Sequence, residues 1–304
     1  MDGLSQSPKT LNSKYFYDEK GDKLFQQIMD CPEYYPTDCE LEIFKNKVQD
    51  LAITLKNGFN TFDLVELGAG DATKSSFLLK ELVDTNVDFT YMPIDISSSM
   101  ISYLETNLPK TIEGLEVKGL NGEYFEMLEK ANLISSRKKV VLMLGGNIGN
   151  DTPENAIEFC RKISSCLQEG DLVLIGFDLK KNPATILAAY NDAAGYTRDF
   201  NLNLLTRINR ELEANFNLDQ FEHYPTYDPA NGACKSYLIS KTNQTVSIAD
   251  REIQFDKDEY VYMEISQKYD VEQINKMAEL SGFKPVKHFF DSKSWFLDAV
   301  WQKK

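Results

Sequence analysis

The residues best equipped for chemistry lie in the stretch Asp63-Leu64-Val65-Glu66-Leu67-Gly68-Ala69-Gly70-Asp71-Ala72-Thr73-Lys74. An apolar run ends in a carboxylate, passes through Gly-x-Gly and enters a helical pattern at Thr73. Glycine lets the backbone approach a ligand closely, and the N-terminus of the following helix offers unpaired N–H groups. The layout suits a nucleotide-like molecule, although a glycine turn of this kind also occurs in other α/β proteins. Its dinucleotide form needs a third glycine three residues after the second. That position is Thr73, which disfavours a dinucleotide oxidoreductase. A carboxylate such as Glu66 suits a positively charged cofactor instead. Further along, Asp95 can accept hydrogen bonds from ribose hydroxyls or cap a helix. Glu123-Tyr124 follows Asn121-Gly122 and offers a ring to adenine. Gly145-Gly146-Asn147-Ile148-Gly149-Asn150 makes either a polar, close-approach surface or a simple turn.

These groups need a scaffold that delivers each of them to the end of a strand. Apolar runs at Phe62–Glu66, Phe89–Ile94, Leu115–Lys118, Lys139–Leu144 and Asp171–Ile175 read as buried strands. Helical patterns at Ser98–Thr106 and Pro153–Leu167 lie between them. The alternation implies a doubly wound parallel sheet with ligands at the C-terminal strand ends. Before it, residues 1 to about 13 are polar and expected to be mobile. Asp22 is expected to cap a helix with Leu24, Phe25, Ile28 and Met29 inward. Glu33–Thr37 reads as extended, and a second helix follows Asp38. After Ile175 the alternation breaks. Helices at Pro183–Tyr190 and Arg198–Ala214 lead into short β-type stretches from Phe221 to Tyr269, separated by turns such as Asp228-Pro229 and Asn231-Gly232. A helix at Val271–Leu280 and a final hairpin, Pro285–Phe290 with Trp295–Trp301, close the chain.

The composition is that of a soluble globular protein, and 304 residues suffice for one large domain or two modest ones. A net charge of −14 argues against nucleic-acid or anionic-membrane partners. No apolar run is long enough to span a membrane, and the first residues do not read as a signal peptide, so a cytoplasmic location is expected. The five cysteines form no CxxC pair and read as reduced thiols rather than a metal site. His223 and His288 are read as structural.

The chain resembles the histidine-specific Nα-methyltransferases, S-adenosylmethionine (SAM)-dependent enzymes that make hercynine in ergothioneine biosynthesis. The resemblance rests on Tyr15-Phe16-Tyr17-Asp18, Pro32-Glu33-Tyr34-Tyr35-Pro36-Thr37, Leu64–Gly70, Leu144–Asn150, Ala189-Tyr190-Asn191-Asp192, Phe200-Asn201, Ile208-Asn209-Arg210-Glu211-Leu212 and Glu264-Ile265-Ser266. It implies a Rossmann-like class I methyltransferase core, residues 39–180 with 269–304, and an α+β substrate-binding domain, residues 1–38 with 181–268. A monomer acting on a small-molecule amino-acid substrate without a metal is expected. Glu66, Gly68, Gly70, Lys74, Asp95, Glu123, Tyr124 and Gly145 would hold SAM. Tyr34, Asn150 and Tyr190 would hold the amino and carboxylate groups of the substrate. Tyr17 and Phe25 would lie near the transfer point, with Tyr17 and Asn150 orienting the amine. Glu264 and Ser266 would receive the imidazole, since residues two apart on a strand share a face and offer hydrogen bonds to both ring nitrogens. Two positions depart from the family pattern. Glu123-Tyr124 stands where Asp-Phe is usual, and Lys235-Ser236 where Glu-Met is common. The second keeps an indole-bearing substrate open; a SAM- or amino-acid-binding protein without turnover is the reading from a different class.

Overall fold

A computed structural model describes residues 2–59 and 61–304. The chain divides into two compact units, Pro36–Leu179 with Tyr269–Lys304, and residues 1–35 with Lys180–Lys268. The elements in chain order show why each sequence pattern folds as it does.

The first strand, β1 (Lys9–Thr10), pairs with Val261 and Tyr262. Leu4 is buried in the core of the smaller unit. The first residues are therefore tied down rather than mobile: one buried leucine and one strand pairing outweigh their polar composition. Helix α1 (Glu19–Met29) starts at Asp18, whose side chain accepts from the Gly21 N–H at 2.8 Å. The cap is thus Asp18 and not Asp22. Helix α2 (Tyr35–Asn46) begins earlier than the extended reading of Glu33–Thr37 allows. Pro36 sits in its first turn, where a missing N–H breaks no intrahelical bond.

Helix α3 (Val48–Lys56) leads to β2 (Thr61–Leu67), α4 (Ser75–Asp84), β3 (Asp88–Asp95), α5 (Ser98–Thr111), β4 (Leu120–Asn121), α6 (Tyr124–Ile134), β5 (Lys138–Met143), α7 (Pro153–Ser165) and β6 (Leu172–Asp178). The strand expected at Leu115–Lys118 is instead β4, with one isolated bridge between Tyr91 and Val117. In the smaller unit follow α8 (Pro183–Ala189), α9 (Tyr196–Glu211), β7 (Phe221–Asp228), β8 (Ala233–Ser240), β9 (Gln244–Ile248), β10 (Arg251–Phe255) and β11 (Tyr260–Gln267). Helix α10 (Val271–Leu280), β12 (Phe283–Phe290) and β13 (Phe296–Lys303) return to the larger unit.

The larger unit is a seven-stranded sheet in the order β12-β13-β6-β5-β2-β3-β4. Strands β2 to β6 run parallel, and the hairpin β12–β13 joins β6 antiparallel. The winding direction reverses between β2 and β5, the place where such sheets bind ligands. On one side of the sheet, Phe177, Tyr269, Phe283 and Trp301 pack with ring centroids 5.5–5.9 Å apart. Among the described residues no helix is long and apolar enough to cross a membrane.

The smaller unit has a four-stranded sheet, β1-β11-β8-β7, and a separate β9–β10 hairpin. Strands β7, β8 and β11 form an antiparallel meander, and β1 adds a parallel edge. Phe200, Leu204, Leu205 and Ile208 of α9 share one core with Leu238, Val261 and Met263 of the sheet. The pairing of β11 with β8 slips by one residue between Tyr262 and Glu264. Before the slip Val261 faces Leu238 and Tyr262 faces Tyr237; after it, Glu264 faces Ser236 and Ser266 faces Cys234. Ser236 and Leu238 share a face of β8, as alternate residues must. The bulge therefore turns Glu264 and Ser266 onto the core face, while Tyr260 and Tyr262 stay outside against Tyr237.

Candidate functional site

Two clusters of chemically able residues emerge, one in each unit. In the larger unit the strand ends at the reversal point carry glycine turns. Gly68 (φ +71°) and Gly70 (φ +51°) follow β2, and Gly145 (φ +79°) follows β5. At Gly68 a Cβ would stand 2.6 Å from the Tyr124 hydroxyl, while at Gly70 it would meet open space. The turn thus keeps main chain exposed where a ligand approaches, and Tyr124 packs on it from the start of α6. Asp95 ends β3; its Oδ1 accepts from the Ser97 N–H at 2.8 Å, and Ser97, not Asp95, caps α5. Glu123 is exposed beside Tyr124. Asn150 is exposed at the end of the short 3-10 turn Asn147–Asn150, its amide 3.5 Å from Asn147 Oδ1.

Two of the expected cofactor residues are turned inward. Glu66 is buried, and Tyr91 donates to its Oε2 at 2.6 Å; burial raises its carboxyl to about 7. Lys74 pairs with Glu40, a fully buried carboxylate of α2 that also accepts from the Gly145 N–H at 2.9 Å. Burial opposes charge on Lys74, but the Glu40 carboxylate outweighs it and lifts the ammonium above its ordinary value. Asp298, also fully buried, is raised well above the usual range by burial and by Glu40. Glu40 thus links the loop after β2 to the loop after β5. The one sequence signal for it is a carboxylate on the buried stripe of Cys39, Ile43 and Phe44.

In the smaller unit the aromatic residues expected at the substrate do meet. Ring centroids lie 5.6 Å apart from Tyr17 to Phe25, 6.4 Å from Phe25 to Tyr34 and 6.2 Å from Tyr34 to Tyr190, all edge-on. Asp18, next to Tyr17, anchors this segment. Burial opposes its ionisation, but hydrogen bonds from Arg210, Gly21 and Asn203 hold its carboxyl at about 2. Asp192 closes the loop after Tyr190 by accepting from the Tyr196 and Thr197 N–H groups, each at 2.8 Å.

Beyond Tyr190 lies a cluster of hydrogen-bonded polar side chains. The Tyr190 hydroxyl donates to Ser266 Oγ at 2.6 Å, and Lys268 Nζ donates to both oxygens at 2.7 Å. Glu264 accepts from Asn201 Nδ2 at 3.3 Å and from the Ser236 hydroxyl. Burial raises the Glu264 carboxyl to about 7, against these hydrogen bonds and the charge of Lys268. Oδ1 of Asn201 is buried with no partner among the described residues, an acceptor ready for a donor on a ligand. Sequence reasoning names neither Lys268 nor Asn201 as a site residue. Lys268 was findable, since Glu264, Ser266 and Lys268 follow at steps of two. The departure at Lys235-Ser236 matters only through Ser236, which is buried in register with Glu264 and adds polarity rather than apolar surface. His223 is buried and its imidazole is lowered to about 4 by burial, which keeps it neutral.

The glycine turns, the acid at the end of β3 and the ring at the start of α6 fit a nucleoside-bearing cofactor. The family of SAM-dependent, histidine-specific methyltransferases matches residues 1–303. The chain belongs to this family. The histidine N-alpha-methyltransferase of Mycolicibacterium smegmatis is 36% identical over 281 residues, covering 92% of this chain and 85% of that one. That of Mycobacterium tuberculosis is 32% identical over 296 residues, covering 97% and 90%. The 4-dimethylallyltryptophan N-methyltransferase easF of Epichloe festucae var. lolii is 27% identical over 307 residues, covering 93% and 88%. The chain is thus a SAM-dependent methyltransferase with a Rossmann-like core of class I type. The doubly wound sheet and its antiparallel closing hairpin are that core.

Proposed function

We propose that this methyltransferase acts on the α-amino group of free L-histidine and carries it to Nα,Nα,Nα-trimethylhistidine, hercynine. The observation that carries the proposal is the polar cluster, in which a bulge turns Glu264 and Ser266 onto one face beside Asn201, Ser236 and Lys268. A carboxylate and a hydroxyl together match the N–H and the lone pair of an imidazole. A site built to hydrogen-bond a ring rejects rings that lack those atoms. An indole offers an N–H and no lone pair, and the buried Ser236 adds no apolar surface for it.

The larger unit is assigned to SAM and the smaller to the amino acid. Gly68, Gly70 and Gly145 offer main chain to the cofactor, Asp95 and Glu123 accept from its hydroxyls, and Tyr124 covers its base. Glu66 and Lys74 act from behind the turn, Glu66 through Tyr91 and Lys74 through Glu40. Bound SAM supplies a methyl carbon already activated by its sulfonium, so positioning is the protein's main task. Tyr34, Tyr190 and Asn150 are assigned to the substrate's amino and carboxylate groups. Tyr17 and Asn150 orient the nitrogen lone pair, and Phe25 packs beside Tyr17. A free amine is mostly protonated near neutrality, and its proton leaves to solvent, because none of these residues is a strong base. The reading includes a cytoplasmic monomer without nucleic-acid partners, consistent with the charge of −14.

Mass spectrometry of the purified protein with SAM and a panel of free amino acids tests this. Gains of one to three methyl groups on histidine alone are the expected result. Methylation of a different amino acid would move the error to the pocket around Ser236 and Glu264. Absence of methylation on every member would overturn the assignment.

A further inference from the structure

We infer that Lys268 is a positioning residue that sets substrate specificity by fixing Ser266 as a hydrogen-bond donor into the ring pocket. The inference rests on the imidazole reading of Glu264 and Ser266.

Lys268 Nζ, Tyr190 Oη and Ser266 Oγ form a closed triangle with sides of 2.6, 2.7 and 2.7 Å. An ammonium only donates, so both oxygens accept from Lys268. The Tyr190 O–H is spent on Ser266. Ser266 Oγ thus accepts from two donors, which fills the acceptor capacity of a hydroxyl. Its own proton must point away from the triangle, on the face it shares with Glu264. The ring pocket then presents one acceptor, Glu264, and one donor, Ser266. That pattern fits a heteroaromatic ring with one N–H and one lone pair, in one orientation.

Lys268 is well held for this task. It is fully buried, its ammonium lies 4.6 Å from the centroid of the Tyr190 ring, and its backbone N–H bonds Gly232 O at 2.8 Å. A lysine at this depth is rare without partners. Without it, the Ser266 hydroxyl has a vacant acceptor site and can turn either way. It could then accept from a ring N–H as readily as donate to a ring nitrogen.

The test compares turnover of histidine with that of β-(2-thienyl)alanine, whose five-membered ring carries no nitrogen. Lys268→Met should lower kcat/KM for histidine mainly through KM. It should narrow the preference for histidine by about tenfold and leave SAM affinity unchanged. In a Ser266→Ala background the same change should leave the preference where Ser266→Ala alone puts it, because the two residues act as one unit. Lys268→Arg, which keeps the donors, should restore part of the preference. Equal losses for both substrates, or additive effects of the two substitutions on the preference, would reduce Lys268 to a structural role. If Lys268→Met does not fold, Lys268→Leu, which likewise removes the donors, carries the same comparison. Glu264→Ala separates the two levels of the argument. If it leaves the preference intact, the imidazole reading itself fails; if it collapses the preference while Lys268→Met does not, only the present inference fails.

Discussion

At Gly68 and Gly70 the larger unit offers a ligand its main chain; at Glu264 and Ser266 the smaller unit offers side chains. The glycine turns need two positive-φ residues close together in sequence, and the strand before them supplies the rest. The ring pocket gathers Tyr190, Asn201, Ser236, Glu264, Ser266 and Lys268 from two helices or their ends and two strands, and depends on a one-residue slip in register. A main-chain site is local and reads from a motif. A side-chain site is assembled at long range, so it can be retuned by single substitutions. The same scaffold can in this way keep one cofactor and vary the amino acid.

The largest expected effect tests whether the main-chain site also leans on a side chain. Lys74→Met leaves Glu40 and Asp298 buried without their cation. Unfolding in urea should show a loss of about 3 kcal/mol, since removing one partner of a buried pair strands the other charge. A loss below about 1 kcal/mol would mean that the glycine turns stand without the Glu40–Lys74 link. Next in size, Glu264→Ala should cut kcat/KM for histidine by about a hundredfold, as expected for a lost polar contact to the ring. Calorimetry should find SAM affinity unchanged; a parallel fall in SAM affinity would break the division of labour between the two regions.

Gly68→Ala should lower SAM affinity by about tenfold, roughly 1.4 kcal/mol, through its left-handed backbone and the 2.6 Å approach to the Tyr124 hydroxyl. Removing that hydroxyl with Tyr124→Phe in the same chain should recover part of the loss. No recovery would place the whole cost in the backbone. The smallest effect concerns pH. Glu264 has its carboxyl raised to about 7 from an ordinary value of 4.5, so between those values the native state binds more protons than the unfolded chain. Its contribution to stability is therefore present below pH 4.5 and lost as the pH rises to 7. Glu264→Gln removes that loss. Its stability relative to the unaltered chain should improve by about 1–2 kcal/mol from pH 5 to pH 8, read by thermal or urea unfolding. A flat difference would mean that Glu264 keeps its ordinary ionisation in the fold.

Legibility followed the same divide. Strands β2, β3, β5 and β6 are rich in apolar residues and almost wholly buried, and stand out at once in the sequence. The cofactor turn reads from spacing alone. The first dozen residues, by contrast, look like a solvated leader until Leu4 meets a core it shares with residues some 200 positions away. Strand β4 is short and sits at a sheet edge, so its apolar signal drifts onto the neighbouring segment. Glu40 and Lys268 are charged residues whose burial makes sense only through partners far along the chain. The bulge in β11 leaves no mark in the alternation, because polar and apolar residues still follow one another.

That bulge has a practical side for anyone who edits the surface of this protein. Read by strict alternation from the outward Tyr260 and Tyr262, Glu264 and Ser266 count as outward positions, free for tags, labels or solubilising charges. The slip between Tyr262 and Glu264 instead sets them opposite Ser236 and Cys234, on the face of β8 that carries Leu238, so a label attached at either position would enter the polar cluster rather than solvent.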